Sequence, residues 1–127
     1  MAARIFLALS ALVWLPYGLY CFFAPTALAG TAGVDATSVT GTIELRAMYG
    51  GLQVALGALA LAGALHLSWR RPALGALLFL CAGIALARIA GTLIEGELSA
   101  YTGFALAFEI ASTGLAGWLL GHRAAAT

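Results

Sequence analysis

Four long apolar stretches alternate with short polar connections along this chain. Each stretch has about the 20 residues that an α-helix needs to cross the hydrocarbon core of a bilayer. The stretches run from Ile5 to Ala24, from Ile43 to Leu65, from Ala73 to Ile94 and from Thr102 to Leu120. This pattern predicts an all-α fold, an integral membrane four-helix bundle that fills residues 1–127 as a single transmembrane domain.

The composition indicates a protein that is surrounded by membrane lipid. Hydrophobic residues make up 63% of the chain and charged residues 9%, and the mean hydropathy is +1.02. A soluble domain is about half apolar and about a quarter charged, so these few charges could not cover a surface in water. The net charge of +1, without any basic run, argues against a nucleic-acid partner.

The charges outside the apolar stretches are sorted by sign. Arginines precede the first stretch, separate the second from the third and follow the fourth: Arg4, Arg70, Arg71 and Arg123. Acidic residues lie in the other two connections: Asp35, Glu95 and Glu97. Positively charged segments stay on the cytoplasmic side of a membrane. We therefore predict an N-in/C-in multi-pass protein, with both chain ends in the cytoplasm.

The first stretch has a second interpretation as a secretory signal. Residues 1–30 combine Arg4, an apolar run and a small-residue segment, Ala27 to Ala29, that a signal peptidase could cleave. The apolar run is, however, longer than the roughly 7–15 residues that are usual for a signal. It also carries Pro16 and two tyrosines. We therefore favour a retained transmembrane helix.

Ionisable residues inside the stretches are the main functional signal, because charges within a membrane are costly and usually mark a site. They are Glu44, Arg46, Arg88 and Glu109. At 1.5 Å per helical residue, Arg88 lies about 26 Å and Glu109 about 21 Å from the cytoplasmic edge, in the outer half of a core about 30 Å thick. The two helices are antiparallel and side chains lean toward a helix N-terminus. We therefore predict an Arg88–Glu109 ion pair, or contact of both with one bound polar group.

Other polar side chains are predicted at a similar depth. Arg46, Tyr49 and Gln53 are spaced i, i+3, i+7 on the second helix, which places them on one face of an α-helix. Tyr17 and Tyr20 have the i, i+3 spacing on the first helix. The proline before Tyr17 favours a kink that would open space beside it. We interpret these five residues as candidate ligand-binding residues.

The favoured functional hypothesis is a polar site in the outer half of the bundle that binds a lipophilic small molecule. If the site is also catalytic, Glu109 is the first candidate for acid/base work, with Arg88 beside it and Glu44 as a second candidate. Such chemistry needs no cofactor, and we expect none. We also expect no metal, because His66 and His122 lie at the cytoplasmic rim and no metal-binding motif is present.

The alternative hypothesis is an accessory or assembly subunit of a larger membrane complex. In that case the Arg88–Glu109 pair only clamps two helices, and Glu44 only complements the dipole of the second helix. Gly83, Ala87 and Gly91 recur every four residues, a spacing that lets transmembrane helices approach closely within a homo-oligomer or against another membrane protein. Transport is less favoured, because the cytoplasmic half carries no polar track.

A group of short motifs resembles the DUF4345 family, small four-helix membrane proteins of unknown function that are mostly bacterial. The run from Gly41 to Gly51 reads GTIELRAMYGG, with the spacing E-x-R-x-x-Y-G-G, and further motifs lie on the other helices: Tyr20 with Pro25, Ala87-Arg88 with Gly91, and Phe108-Glu109. The resemblance implies that the first helix belongs to the domain and that the protein lies in the bacterial inner membrane. It implies no reaction.

Overall fold

The computed structural model describes residues 1–124, with side chains described through His122, and this part of the chain folds into helices alone. The helices are α1 (Ala2–Phe23), α2 (Ala27–Ala32), α3 (Val39–Leu45), a π-helical segment (Arg46–Gly51), α4 (Leu52–Leu65), α5 (Leu67–Glu95) and α6 (Ala100–Ala124). The predicted all-α fold class is confirmed.

Four of these helical runs are long and apolar enough to cross a bilayer. They are a first span (Ala2–Phe23), a second span (Val39–Leu65, which joins α3, the π segment and α4), a third span (Leu67–Glu95) and a fourth span (Ala100–His122). Only helices and closed barrels satisfy every backbone polar group within hydrocarbon. The protein is therefore a multi-pass membrane protein, and its architecture is that of a membrane four-helix bundle.

The third span is longer than the apolar stretch that predicts it. It begins at Leu67 rather than at Ala73, so the connection that was expected over residues 66–72 is reduced to His66, whose backbone is extended (φ −119°, ψ 129°). Hydropathy marks the edge of the hydrocarbon, whereas a helix continues beyond that edge wherever water can solvate its polar side chains. Arg70 and Arg71 therefore lie on the helix and not in a loop.

The two ends of the bundle differ in packing. We call the end that holds Ala2 and His66 the terminus end, and the end that holds the connections 24–38 and 96–99 the loop end. All four spans contribute to one buried cluster, which lies mainly toward the terminus end and consists of Ala3, Leu7, Ala11, Trp14, Leu56, Ala60, Ala64, Ala73, Leu74, Leu77, Cys81, Ala116 and Leu119. Nearly half of these are alanines, which allow helix axes to come close together.

Glycines mark the tightest contacts of the first two spans. A Cβ atom added at Gly18 would lie 2.7 Å from the backbone nitrogen of Val54, and one added at Gly57 would lie 2.8 Å from Leu15. Real Cβ atoms do not approach other atoms so closely, so any larger residue would push the two helices apart. The first and second spans thus form one tightly packed hairpin, and the third and fourth spans form another.

Toward the loop end the two hairpins separate. The π segment packs against the first span and makes hardly any contact with the third, whereas α4 packs well against it. The short α2 helix lies against the fourth span. The bundle is therefore closed at the terminus end and open between its hairpins at the loop end.

Candidate functional site

A buried ion pair joins the third and fourth spans. The Nη2 atom of Arg88 donates to Oε1 of Glu109 at 2.8 Å, and the Nε atom donates to both carboxylate oxygens at 3.2 and 3.1 Å. Glu109 is only 4% exposed. The predicted Arg88–Glu109 pair is confirmed. Because both oxygens accept hydrogen bonds from one guanidinium, the charges compensate each other within the low-dielectric interior.

The pair lies in the wall of a cavity of about 620 Å³. We call this space the loop-end cavity. Every span contributes to its lining, which is mostly apolar and aromatic and consists of Val13, Trp14, Tyr17, Met48, Tyr49, Leu52, Gln53, Leu56, Leu80, Ile84, Arg88, Tyr101, Phe104, Ala105, Phe108 and Glu109. A cavity of this size and character is typical of sites that enclose a small organic ligand.

Neutral polar groups are set into the apolar wall. The hydroxyl groups of Tyr17 and Tyr101 lie 3.4 Å apart and link the first span to the fourth. The buried Nε1 atom of Trp14 and the buried Oε1 atom of Gln53 have no hydrogen-bond partner among the described residues. Both atoms have almost no accessible surface, so they are packed among neighbouring side chains and do not face the open space of the cavity.

Comparison with known proteins identifies the family of this bundle. The family described as a domain of unknown function, DUF4345, matches residues 2–120. The chain belongs to the DUF4345 family. A search of curated proteins and a search of solved structures each gave no significant match. The match includes the whole first span.

The loop-end cavity gathers most, but not all, of the polar residues that the sequence singles out. Tyr17, Tyr49, Gln53, Arg88 and Glu109 all line the loop-end cavity. These residues come from all four spans, as expected from their common depth. Residues that were predicted at a common depth, counted at 1.5 Å per helical residue, therefore line one cavity.

Three other predicted site residues lie outside the cavity wall. Tyr20 is 58% exposed on the outer face of the first span. Arg46 donates from Nε to the backbone oxygen of Phe22 at 3.1 Å, so it ties the second span to the first. Glu44 is exposed near the loop end and makes no contact with Arg88 or Glu109 in their ion pair.

The π segment explains why Tyr49 lines the cavity whereas Arg46 does not. The predicted i, i+3, i+7 face assumes an unbroken α-helix, whereas residues 46–51 form a wider π turn. One additional residue in a turn rotates the side chains on either side by about 100° relative to each other. Such π turns are frequent at functional sites, and this one brings Met48 and Tyr49 to the cavity.

Sequence reasoning missed several aromatic side chains of the site. The sequence pattern singles out neither Trp14 nor Tyr101 as a site residue, yet both line the cavity. Trp14 also packs against Phe108, with 5.8 Å between the ring centroids. The sequence does carry a signal for Tyr101. Phe108 and Glu109 follow it by seven and eight residues, so the three side chains lie on one face of the fourth span.

The described side chains offer no group that could hold a metal ion. No three His, Cys, Asp or Glu residues within this part of the chain lie close enough together. The polar groups among the lining residues are the Arg88–Glu109 ion pair, tyrosine hydroxyl groups, the Gln53 amide and the Trp14 indole.

Proposed function

We propose that this DUF4345 protein binds a lipophilic small molecule in the loop-end cavity. The observation that carries the proposal is the cavity itself, a space of about 620 Å³ bounded by all four spans, with a mostly apolar wall that includes the Arg88–Glu109 pair. Proteins enclose drug-sized ligands in cavities of roughly 300–1,000 Å³, and a few polar groups fix the orientation of the ligand.

The Arg88–Glu109 pair supports a binding role more directly than a catalytic one. Both carboxylate oxygens of Glu109 already accept hydrogen bonds from Arg88, so the pair holds a fixed geometry that joins the third span to the fourth. We propose that the pair holds the third and fourth spans together and gives the cavity a fixed polar end. Acid/base work at Glu109 is a further step that binding would have to trigger.

We propose that the ligand reaches the cavity sideways from the lipid. Met48, Leu52 and Leu80 line the cavity and are exposed by 55%, 45% and 38%. They lie on the second and third spans, where the π segment hardly touches the third span. An opening lined by such side chains at membrane depth would face hydrocarbon, which is where a lipophilic molecule is dissolved.

The proposed orientation follows from the charges at the two ends. Arg4, Arg70 and Arg71 lie at the terminus end, whereas Asp35 and Glu97 lie in the connections of the loop end. The positive-inside rule then favours a terminus end in the cytoplasm. In the bacterial inner membrane that we propose as its location, the loop-end cavity would lie in the periplasmic half.

A cavity-filling substitution tests the binding proposal. Ala105 lines the cavity, whereas Ala107 lies two residues away on the same helix and is exposed outside it. We expect wild type and Ala107→Phe to retain a small molecule in native mass spectrometry with lipid-extract analysis, and Ala105→Phe to lose it. Equal extracts from all three proteins, or a wild type that carries only bulk lipid, would contradict the proposal.

One observation favours the second candidate, an assembly subunit. A Cβ atom added at Gly83 or Gly91 would meet no atom within 4 Å, so the Gly83-Ala87-Gly91 face of the third span is not used inside the bundle. A small-residue face of this kind suits a partner helix. We expect Gly83→Leu to reduce any homo-oligomer seen by crosslinking in lipid, while Gly114→Leu, at an open position of the fourth span, leaves it unchanged.

A further inference from the structure

A second, smaller cavity opens between the third and fourth spans at the terminus end of the bundle. It has a volume of about 150 Å³ and is lined by Leu67, Arg70, Arg71, Leu74, Leu119 and Leu120. We call it the terminus-end crevice. It shares no lining residue with the loop-end cavity, and the inference drawn from it does not depend on the binding function proposed for that cavity.

The wall of the crevice combines two cationic groups with hydrocarbon, and its occupant should combine an anionic group with hydrocarbon. We propose that the terminus-end crevice binds an anionic phospholipid of the surrounding membrane. The phosphate of the lipid lies against Arg70 and Arg71, and the beginning of an acyl chain lies against the leucines. Basic pockets between transmembrane helices bind anionic lipid headgroups in this way.

The crevice lies at the depth of the lipid headgroups. The third span begins at Leu67, whereas its apolar stretch begins at Ala73, so the two arginines between them lie at the edge of the hydrocarbon. Trp69 and Trp118, which are sequence neighbours of lining residues, are 51% and 52% exposed. Exposed tryptophans are typical of the boundary between hydrocarbon and headgroups. A lipid held there keeps its phosphate in water and its chains in the bilayer.

The charge at this end of the bundle is positive and is not balanced by acidic side chains. All five acidic residues of the chain lie toward the loop end: Asp35, Glu44, Glu95, Glu97 and Glu109. The salt bridge found among the described residues joins Arg88 to Glu109, away from the crevice. Two adjacent arginines without an acidic neighbour attract a counter-ion from outside the chain, and a lipid phosphate is the anion that a membrane supplies at this depth.

Arg70 is positioned for such a contact. Its Nε atom donates to the backbone oxygen of Gly63 at 3.4 Å, which ties the side chain to the second span. Its two Nη groups make no hydrogen bond to the described residues, so their N–H groups are available to a phosphate, which suits the planar fork of a guanidinium. Arg71 follows it and is exposed, so it supplies a second cation.

The apolar part of the crevice favours a lipid over a soluble phosphate. Leu74 and Leu119 are 1% and 7% exposed, so the packing of the bundle fixes this part of the wall. A soluble phosphate would contact the arginines alone. The volume of about 150 Å³ is also smaller than the roughly 300–1,000 Å³ of sites that enclose a whole organic ligand. The crevice therefore suits one part of a lipid whose remainder stays in the bilayer.

Native mass spectrometry of the full-length protein in detergent tests the proposal. Phosphatidylglycerol and phosphatidylcholine with identical acyl chains differ only in the headgroup, so the affinity of the first bound lipid isolates the effect of charge. We expect wild type to prefer phosphatidylglycerol about tenfold. In Arg71→Gln this preference should fall to about twofold, because one arginine near an anionic surface contributes about a fivefold factor. Arg71→Lys should keep most of the preference, and Arg70→Gln is a second variant if Arg71→Gln fails to fold.

Arg4→Gln is the matched control, because Arg4 is an exposed arginine at the same end that does not line the crevice. We expect this variant to keep the preference of wild type. Equal affinity for the two lipids in wild type would overturn the proposal, as would an equal loss in Arg4→Gln and Arg71→Gln. Glycerol 3-phosphate carries a phosphate without acyl chains, and we expect no competition from it at millimolar concentration. Displacement of phosphatidylglycerol by this probe would assign the crevice to a soluble phosphate and overturn the lipid proposal.

Discussion

The two halves of this bundle are built from the same four apolar spans but differ in packing. Toward the terminus end, alanine, leucine and glycine side chains bring the spans into close contact, as where an added Cβ at Gly63 would lie 2.7 Å from the Cβ of Ala73. Toward the loop end the same helices enclose a cavity of about 620 Å³. Hydrophobic residues alone therefore do not close a membrane bundle, because lipid competes for apolar surface and only small residues and polar contacts favour helix association.

The loop-end half is held instead by polar contacts. Arg88 and Glu109 join the third span to the fourth, Tyr17 and Tyr101 link the first span to the fourth, and Arg46 bonds the first span. The Arg88–Glu109 and Tyr17–Tyr101 contacts act over long side chains, whereas Arg46 bonds to Phe22 where the first two spans already touch. The comparison suggests that the packed half provides stability and that the open half provides the site.

The largest effect is expected from breaking the ion pair. Glu109→Gln leaves the guanidinium of Arg88 without its counter-charge, and we expect a loss of about 3–5 kcal/mol in the free energy of unfolding. Replacing both partners, as in Arg88→Met/Glu109→Leu, should recover much of this loss, because an apolar pair has no unpaired charge. The measurement is unfolding in mixed micelles, followed by tryptophan fluorescence.

A Glu109→Gln variant as stable as wild type would contradict the stabilising role of the pair. If it were also as good a binder of small molecules as wild type, neither a structural nor a functional role would remain for the carboxylate. The double variant separates the two roles, since it restores stability without restoring the polar end of the cavity.

The next largest loss of stability is expected at Leu77, and Leu80, in the other half of the third span, serves as its comparison. Leu77 is fully buried in the packed half, whereas Leu80 lines the cavity and is 38% exposed. We expect Leu77→Ala to lower the free energy of unfolding by about 2–5 kcal/mol, because it removes many van der Waals contacts and leaves a new void. Leu80→Ala should cost less than about 1.5 kcal/mol in the same assay. Equal losses would show that the two halves are equally packed.

A smaller loss of stability is expected at the seam of the first hairpin, that is, the contact surface between the first and second spans. Gly57→Ala places a Cβ atom 2.8 Å from Leu15, and we expect overpacking to cost about 1–3 kcal/mol. Gly75→Ala is the matched control, because a Cβ at Gly75 meets no atom within 4 Å and alanine favours a helix over glycine by about 1 kcal/mol. Thermal unfolding of both variants measures the difference, and a Gly57→Ala protein as stable as wild type would rule out a tight seam.

The smallest effect is expected at Glu44. This residue is exposed and lies outside the cavity wall, so Glu44→Gln should change the free energy of unfolding by less than about 0.5 kcal/mol and leave small-molecule binding unchanged. The same unfolding assay and the extract analysis check both expectations. A large loss of binding in this variant would return Glu44 to the site and place part of the ligand nearer the loop end.

The sequence by itself determined the spans, the family and the central contact. Stretches of about 20 apolar residues predict helices because hydrocarbon leaves the backbone no other partner. Two opposite charges at one depth on antiparallel helices predict Arg88 beside Glu109, because neither could be left unpaired in lipid. Both predictions rest on the spacing of residues along the chain and on the free-energy cost of burying polar groups, and neither needs knowledge of the tertiary structure.

Only the tertiary structure decided where the cavity lies and which side chains line it. The separation of the hairpins depends on contacts between distant segments, and no local pattern predicts it. The π turn at residues 46–51 changes the phase of the second span, so Tyr49 and Gln53 reach the cavity while Arg46 bonds Phe22. Trp14 and Tyr101, on the first and fourth spans, join the wall through the packing of segments that are distant in the sequence. Depth in the membrane is set by counting residues, whereas the direction of a side chain is set by the packing of the helices around it.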